Sequence, residues 1–442
     1  MKQRFPFVIL SVLIVVSILL GACTPKAQPT QDAAAEVATD AQTEGAEVAA
    51  SAEPVTITFW HGYNADVEAV FLTDTIIPEF EAKYPNINVE SVVVPYDQFR
   101  RKLLIALSGG EAPDLARIDI IWVPELADQG ALAKLNEVFS DFSTMADKML
   151  PGPLSTNFYQ GNYYGLPLDT NTRVMVYNID VFAKAGIESA PATIDEFLAA
   201  CEKIKALGDG TYCFADGGTY AWATNPWIWS FGGDVTDVEI TKATGAFNSD
   251  ATIAAYNFLK DGIDKGYINP AMRGGSLDSW GAFSQDKLAM IFEGPWFPPS
   301  FEKQFPDKKY GTALIPAGDG GSTSVVGGED IVMFQQSTKK AAAAEFIRYL
   351  LSEEVQLQWA SQGQVPVLKS AIDSDYIETH PFFGIFLEQL KTAKARTPHP
   401  AWSKMEEITT NVGNAILNGT VDTKAALDEA AAKLDTLLAP AQ

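Results

Sequence analysis

The chain has 442 residues, and its 56 acidic side chains outnumber its 32 basic ones. The resulting net charge of −24 argues against nucleic acid or an anionic membrane surface as a partner, and it suits a neutral ligand. With 47% hydrophobic residues, the chain can build the cores of two domains of ordinary size.

The N-terminus has the pattern of an export signal. Two positive charges precede an apolar stretch at residues 7–20, which is shorter than the roughly 20 residues of a membrane-spanning helix. The sequence LLGAC at 19–23 resembles the bacterial lipobox, whose cysteine takes a lipid and becomes the mature N-terminus; an ordinary cleavage site is the alternative. We expect a lipoprotein signal peptide at residues 1–22, an extracytoplasmic location and a lipid anchor on Cys23.

The segment after the lipobox predicts a tether. Residues 23–54 are rich in Ala, Thr, Gln and Glu and contain no aromatic side chain, so they bury too little apolar surface to offset chain entropy. We therefore expect a disordered linker between the anchor and the folded part of the chain.

From residue 55 onward, short β-branched or aromatic runs alternate with helical periodicities, which is typical of an α/β fold. A strand, a helix, a strand, a helix and a strand are predicted at 55–60, 65–83, 87–94, 96–107 and 113–118. A second unit follows, with a strand at 173–177 and a helix at 193–207 that begins with the capping-box sequence TIDE. Further helices are predicted at 250–265, 339–352, 353–362, 402–417 and 423–438.

Two further cysteines remain once Cys23 carries lipid. Cys201 and Cys213 form an even pair in an oxidising compartment, which favours a disulfide between them. Two buried free thiols are the alternative, because spacing along the chain does not show whether the two Cβ atoms meet.

Six sites along the chain carry short recognisable segments. They are ITFWHG at 57–62, ALSGGEAPD at 106–114, YGLP at 164–167 followed by VYNID at 176–180, FEGPW at 292–296, GGED at 327–330 and QVPV at 364–367. Each alone is a weak signal, since turns followed by aromatic residues are common. In this order they resemble the extracellular solute-binding protein family of ATP-binding cassette sugar importers, which includes maltose-binding protein.

The resemblance implies an α/β, two-lobed periplasmic-binding-protein-like fold with an interlobe ligand cleft and hinge crossovers. It implies capture of a sugar or oligosaccharide by lobe closure and delivery to the transmembrane permease subunits of the importer. The expected protein is a monomer and no enzyme, and it uses no cofactor, metal or nucleic acid. The implied lobe 1 comprises residues 55–173 and 317–363, lobe 2 comprises 174–316 and 364–442, and hinge strands lie near 174–177, 310–316 and 365–369.

A sugar cleft needs aromatic faces to cover C–H patches and polar side chains to bond hydroxyl groups. Trp296 follows Gly-Pro at a strand-to-helix turn, where the resemblance implies a stacking ring, and Trp402 stands in a similar late position. Tyr220 and Trp222 fall in what reads as an aromatic loop. The expected ligand contacts are Trp60, His61, Asp119, Asp169, Tyr220, Trp222, Trp296, Gly328, Glu329, Arg396 and Trp402.

Each of these residue types also has an ordinary structural use. A tryptophan is often buried in a core, and an acidic residue often caps a turn. Arg396 could pair at the surface instead of donating to sugar oxygens.

Two other functions stay open at this point. A secreted carbohydrate-active enzyme would also use aromatic residues and paired carboxylates, but no G-x-S-x-G or H-E-x-x-H motif occurs, and the three histidines are scattered. The same scaffold could bind another solute. An anionic solute would need more basic residues than Arg173, Arg273 and Arg396 provide, whereas a cation such as a polyamine remains compatible.

Overall fold

The computed structural model describes residues 53–439; the predicted signal peptide, Cys23 and the predicted tether up to residue 52 lie outside the described residues. Twelve strands are present in this range and form two larger sheets and one short hairpin. In chain order the strands are β1 (Val55–His61), β2 (Ile87–Val93), β3 (Leu115–Asp119), β4 (Phe158–Tyr159), β5 (Asn162–Tyr163), β6 (Gly165–Thr172), β7 (Val174–Asn178), β8 (Tyr212–Phe214), β9 (Leu288–Glu293), β10 (Tyr310–Ala313), β11 (Val325–Met333) and β12 (Lys394–Ala395).

The first sheet has the strand order β12-β11-β3-β1-β2, and β6 pairs with β11 as well. β1 runs parallel to both β2 and β3, whereas β11 runs antiparallel to β3 and β6. The β-α-β-α-β order predicted for the first part of the chain is confirmed.

The second sheet has the order β10-β7-β9-β8. β7 pairs antiparallel with β9 and β10, and β8 runs parallel to β9. β6 in the first sheet and β7 in the second are separated only by Arg173, so the chain passes from one sheet to the other at this residue.

Helices cover both sheets. A π-helical turn at Leu72–Ile76 connects the first two of them. The helices are α1 (Glu68–Phe71), α2 (Ile77–Lys83), α3 (Tyr96–Gly109), α4 (Val123–Asp128), α5 (Leu135–Val138), α6 (Phe142–Asp147), α7 (Pro151–Ser155), α8 (Ile179–Lys184), α9 (Ile194–Lys205), α10 (Ala221–Ser230), α11 (Asp250–Asp264), α12 (Ser279–Ser284), α13 (Phe297–Gln304), α14 (Lys340–Leu350), α15 (Glu353–Ala360), α16 (Lys369–Ile372), α17 (Asp375–Thr379), α18 (Pro381–Leu390), α19 (Trp402–Leu417) and α20 (Thr423–Leu438).

Local signals in the sequence account for several helix boundaries. The hydroxyl group of Thr193 accepts from the amide of Glu196, whose carboxylate accepts from the amide of Thr193, so the predicted capping box of α9 is confirmed. The bounds of α19 and α20 also agree with the prediction.

The prediction of an aromatic loop around Trp222 was wrong, because residues 221–230 form α10. This helix carries Pro226 in its interior and buries nearly all of its side chains. It therefore lacks the alternation of apolar and polar faces by which a helix is recognised in sequence. Its proline also argues against a helix.

Apolar cores lie beside both sheets. Phe59 and Ile331 of the first sheet pack in one core with Phe346 of α14. Phe292 of the second sheet packs with Trp227 of α10 in another, which also contains a disulfide between Cys201 and Cys213. The two cysteines are 5.0 Å apart between their Cα atoms, and the bond ties α9 to β8.

Candidate functional site

A cavity of about 490 Å³ lies between the two sheets. Its wall includes Gly62 just after β1, the end of β3 and the first half of β11 from the first sheet, and residues of α10, α12 and α13 from the side of the second. This volume is in the range of pockets that enclose small organic ligands.

A row of acidic side chains crosses the first sheet beside the cavity. Glu329 on β11 stands opposite Asp119 on β3 and opposite Asp169 on β6. Arg117, two residues before Asp119 on β3, donates to Asp169 at 2.8 Å and to Glu329 at 2.6 Å. Like charges on neighbouring strands repel, so this guanidinium group is what allows the carboxylates to stand side by side.

The proton affinity of Glu329 follows from this crowding. Burial raises its pKa well above the usual range, and the nearby Asp169 carboxylate raises it further, against the opposing effect of Arg117. The ionised form of Glu329 therefore depends on its ion pair with Arg117.

Asp119, in the same acidic row, accepts several hydrogen bonds. Its carboxylate accepts from Arg396 at 2.8 Å, from the amide of Ile121 at 3.1 Å and from the hydroxyl group of Tyr96. Asp119 thus serves as the cap of a turn and also fixes two side chains, Tyr96 and Arg396, in the cavity wall.

Two glycines of β11 let other groups approach the strand closely. A Cβ atom on Gly327 would lie 2.6 Å from the ring of Trp222, so this indole packs directly on the strand backbone. Gly328 has φ +138°, and a Cβ atom there would lie 2.5 Å from the carbonyl oxygen of Asp169. Trp222 of α10 is thereby held in contact with the first sheet.

Aromatic rings form another part of the cavity wall. Trp222 and Trp296 lie with their ring centres 6.3 Å apart and their planes 27° from parallel. The carboxylate of Glu293 accepts from the indole nitrogen of Trp280 at 2.8 Å and from that of Trp296 at 3.3 Å. One carboxylate therefore orients two tryptophan rings that line the cavity.

A second chamber of about 210 Å³ adjoins the first. The two share Tyr220, Trp222 and Trp296 in their walls. Inside the smaller chamber Arg173 pairs with Asp216 at 2.8 Å, and both side chains are almost completely buried.

Other polar residues complete the main cavity. The carboxylate of Glu68 accepts from the amide of Asn64 at 2.8 Å and from the side-chain nitrogen of Gln364. Glu406 on α19 accepts from the amide of Ala221 at 3.3 Å. Burial raises the pKa of both glutamates.

The structure brings many of the predicted ligand contacts together in the wall of one cavity. These are Asp119, Tyr220, Trp222, Trp296, Gly328, Glu329 and Arg396.

Four predicted contacts lie elsewhere. Asp169 is behind the wall, where it bonds Arg117, and Trp60 packs edge-on against Phe99 at the side of a core. His61 is fully buried and bonds the hydroxyl group of Ser91 at 2.7 Å; burial lowers its pKa to about 3, so it is uncharged.

Trp402 is the clearest departure from the predicted site. It is 1% exposed and packs with Met405 and other residues of the core beside α19. Trp296 and Trp402 both follow a turn-like sequence and stand at the start of a helix. Trp296 lines the cavity, whereas Trp402 is the first residue of α19 and points into a core.

Several residues of the wall were not predicted. Arg117 lies inside a buried strand, where a charged residue is itself a signal, because such groups are buried only with partners. Three other residues of the wall, Glu68, Trp280 and Glu406, lie on helices, and the sequence around them contains no local sign of their role.

Within residues 53–439, no group of three or more His, Cys, Asp or Glu side chains is arranged to hold a metal ion. No helix in that range is both long enough and apolar enough to cross a membrane. The main cavity is lined by aromatic rings, carboxylates and two guanidinium groups, those of Arg117 and Arg396.

Two α/β sheet units with a cavity between them define a two-lobed periplasmic-binding-protein-like fold. The family model for bacterial extracellular solute-binding proteins matches residues 66–357. The chain belongs to this family, as its resemblance in sequence indicated.

Similar proteins are known from sequence and from structure. A putative binding protein of Brucella abortus (strain 2308) is 31% identical over 369 residues, which cover 81% of this chain and 88% of the relative. The arabinooligosaccharide-binding protein of Bacillus subtilis (strain 168) is 27% identical over 319 residues, 67% of this chain and 69% of that protein. These relatives carry the names of binding proteins and not of enzymes.

A solved structure has the same fold. It is an ABC transporter solute-binding protein from Thermotoga lettingae, bound with α-D-tagatose. It superposes with a TM-score of 0.79 at 27% identity, over 87% of this chain and 100% of that one.

Proposed function

We propose that this protein captures a sugar or small oligosaccharide outside the cytoplasm and delivers it to the permease subunits of an ATP-binding cassette importer. One observation carries the proposal: tryptophan and tyrosine rings line the same cavity of about 490 Å³ as a row of carboxylates and arginines. Aromatic faces cover the C–H patches of a sugar ring, and the polar row bonds its hydroxyl groups.

The names of the relatives support the same class of ligand. The Bacillus subtilis protein is named for arabinooligosaccharides, and the Thermotoga lettingae structure holds a tagatose. We extend the sugar class, and not a particular sugar, to this chain.

The lipid anchor, the monomeric state and the lack of enzymatic activity belong to the proposal as well. The leader and the lipobox support a lipid anchor on Cys23, and the binding role supports a monomer without enzymatic activity. The lobe bounds at 55–173 with 317–363, and at 174–316 with 364–442, stay predictions, as do the hinge strands between them.

A thermal-shift screen of the exported chain against mono-, di- and oligosaccharides tests the function. A ligand that binds only the native state raises the melting temperature by mass action. We expect at least one saccharide to raise it and calorimetric titration to show binding. A rise with a polyamine and with no saccharide would contradict the proposal.

A further inference from the structure

Acidic side chains outnumber basic ones around the two chambers. Seven carboxylates lie in or directly behind their walls, against three guanidinium groups. Arg117, Arg173 and Arg396 form ion pairs with four of the acids. Glu68, Glu293 and Glu406 form no ion pair with any lysine or arginine that the structure describes.

Burial changes the pKa values of these three acids, which have no ion-pair partner among the described residues. In each case loss of solvation is the largest influence, and the pKa of the carboxyl group is raised above its usual value. A positive charge brought into the cavity would stabilise the ionised forms. A ligand with such a charge would therefore gain free energy that a neutral ligand does not.

The positive charge would come with an organic ligand. The carboxylates are spread around the cavity, and in the described range no three of them converge as metal ligands do. A protonated amine, by contrast, needs only one carboxylate and a few acceptors, because it donates three hydrogen bonds.

Glu406 marks the place where an amine fits. Its one hydrogen bond to described residues, from the amide of Ala221 at 3.3 Å, puts it at the start of α10 between Tyr220 and Trp222. All three side chains line the main cavity. The guanidinium carbon of Arg396 lies 5.4 Å from the ring centre of Trp222, but this group is paired with Asp119 at 2.8 Å, so Glu406 is the carboxylate beside these rings that has no ion-pair partner among the described residues.

Gln364 gives a separate indication that the ligand brings a hydrogen-bond donor into the cavity. Its side chain is 5% exposed and lines the cavity, and its nitrogen donates to Glu68. Its oxygen Oε1 is buried without a hydrogen-bond partner. A buried acceptor of this kind requires a donor from elsewhere, which a hydroxyl or ammonium group of a ligand supplies.

We propose that the ligand is a saccharide bearing a protonated amine, with the ammonium group held between the Glu406 carboxylate and the rings of Tyr220 and Trp222. The inference rests on the proposed saccharide-binding function and narrows its substrate class.

Matched pairs of sugars test it by calorimetric titration at about pH 6.5 and low salt, where the sugar amines are protonated. The pairs are glucose and glucosamine, galactose and galactosamine, mannose and mannosamine, and cellobiose and its diamino analogue, with N-acetylglucosamine as the uncharged amide. We expect at least one amine to bind about tenfold or more tightly than its neutral partner. Added salt should weaken the binding of that amine more than that of its partner.

The variant Glu406→Gln should remove about tenfold of this preference while retaining binding of the neutral sugar. Glu407→Gln is the matched control, because Glu407 is the next residue on α19 and is exposed. It should keep the preference. The salt dependence of the wild-type protein gives the same information if the Glu406 variant fails to fold.

The remaining outcomes separate this inference from the function on which it rests. Neutral sugars that bind as tightly as their amines would overturn the inference and leave saccharide binding intact. Binding of spermidine without binding of any saccharide would overturn both, and so would the absence of binding by every compound.

Discussion

Arg117 donates to Glu329 at 2.6 Å across the junction of β3 and β11, and the two side chains are 6% and 17% exposed. The same nitrogen bonds Asp169 at 2.8 Å. One cation therefore offsets two buried carboxylates that stand opposite each other on neighbouring strands. Removal of a partner from such a cluster leaves uncompensated charge, whereas an exposed pair contributes little.

The first prediction concerns this cluster. Arg117→Met should lower the free energy of unfolding by about 3 to 5 kcal/mol, because Asp169 and Glu329 lose their shared cation. Urea denaturation measures the change. Arg348→Met is the control: Arg348 pairs with Asp141, but the two are 35% and 45% exposed, so at most about 1 kcal/mol should be lost. Equal losses in the two variants would contradict the role given to Arg117.

Trp296 supplies the second prediction. Its ring should stack on a pyranose ring, so Trp296→Ala should weaken saccharide binding by about ten- to a hundredfold with little change in melting temperature. Calorimetric titration with a saccharide from the screen measures the affinity, and circular dichroism checks the fold.

Trp402 is the natural control, since it is a core residue. Trp402→Phe should lower the melting temperature and leave the affinity of the folded protein nearly unchanged. If Trp296→Ala keeps full affinity, Trp296 does not contact the ligand.

How far the sequence predicted the fold depended on periodicity. Helices with regular apolar spacing were placed within a few residues, whether a side chain caps them, as in α9 and α20, or not, as in α19. α10 was missed because it is buried on all sides and contains Pro226, so its environment and not its local propensity makes it helical.

The site was predicted where function coincides with a turn after a strand. Asp119 and Trp296 stand in such positions, and a turn can be recognised locally. Arg117 was missed because its role depends on Glu329, which is more than 200 residues away in the chain. Glu406 was missed because its partner, the amide of Ala221, lies on another helix. Trp402 shows the converse: its local context suggested a ligand contact, but the packing of α19 buries it in a core.

The third prediction concerns the bond between Cys201 and Cys213. The double variant to alanine should lower the free energy of unfolding by about 2 to 4 kcal/mol, because the closed loop restricts the unfolded chain. Chemical denaturation with and without a reducing agent measures it. The reducing agent should destabilise the wild-type protein and leave the variant unchanged. Two reactive thiols in the unreduced, unfolded wild-type protein would contradict the bond.

The fourth prediction concerns Cys23, which lies outside the described residues. Cys23→Ser should release the protein from the membrane fraction, because the lipid anchor would have no attachment point. Detergent partition and intact-mass measurement on both proteins decide the matter. Membrane retention of the variant would contradict the lipoprotein interpretation.

Asp330 supplies the last prediction. It is fully buried on β11, with its carboxylate 2.7 Å from the side-chain nitrogen of Asn157 and 3.1 Å from the hydroxyl oxygen of Thr156. Burial raises its pKa to about 8, so the folded protein holds it protonated at neutral pH. The hydroxyl group of Thr156 lies 2.7 Å from the carbonyl oxygen of Pro153 and can donate there, which leaves its oxygen free to accept from the Asp330 proton.

The sign of the pH effect follows from proton binding. Between the ordinary aspartate pKa near 3.8 and about 8, the folded state binds a proton that the unfolded state releases. The stabilising contribution of the protonated carboxyl is therefore complete at low pH and declines as the pH rises through this window.

Asp330→Asn should remove this decline, because the amide oxygen can accept from Asn157 and the amide nitrogen can donate to Thr156 at every pH. We expect the variant to gain melting temperature over the wild-type protein at pH 8 and little or nothing at pH 4.5. Asp209→Asn, at a surface carboxylate paired with Lys184, is the control and should show no such rising gain. A pH-independent difference between the wild-type protein and Asp330→Asn would mean that Asp330 has the same charge in the folded and unfolded states.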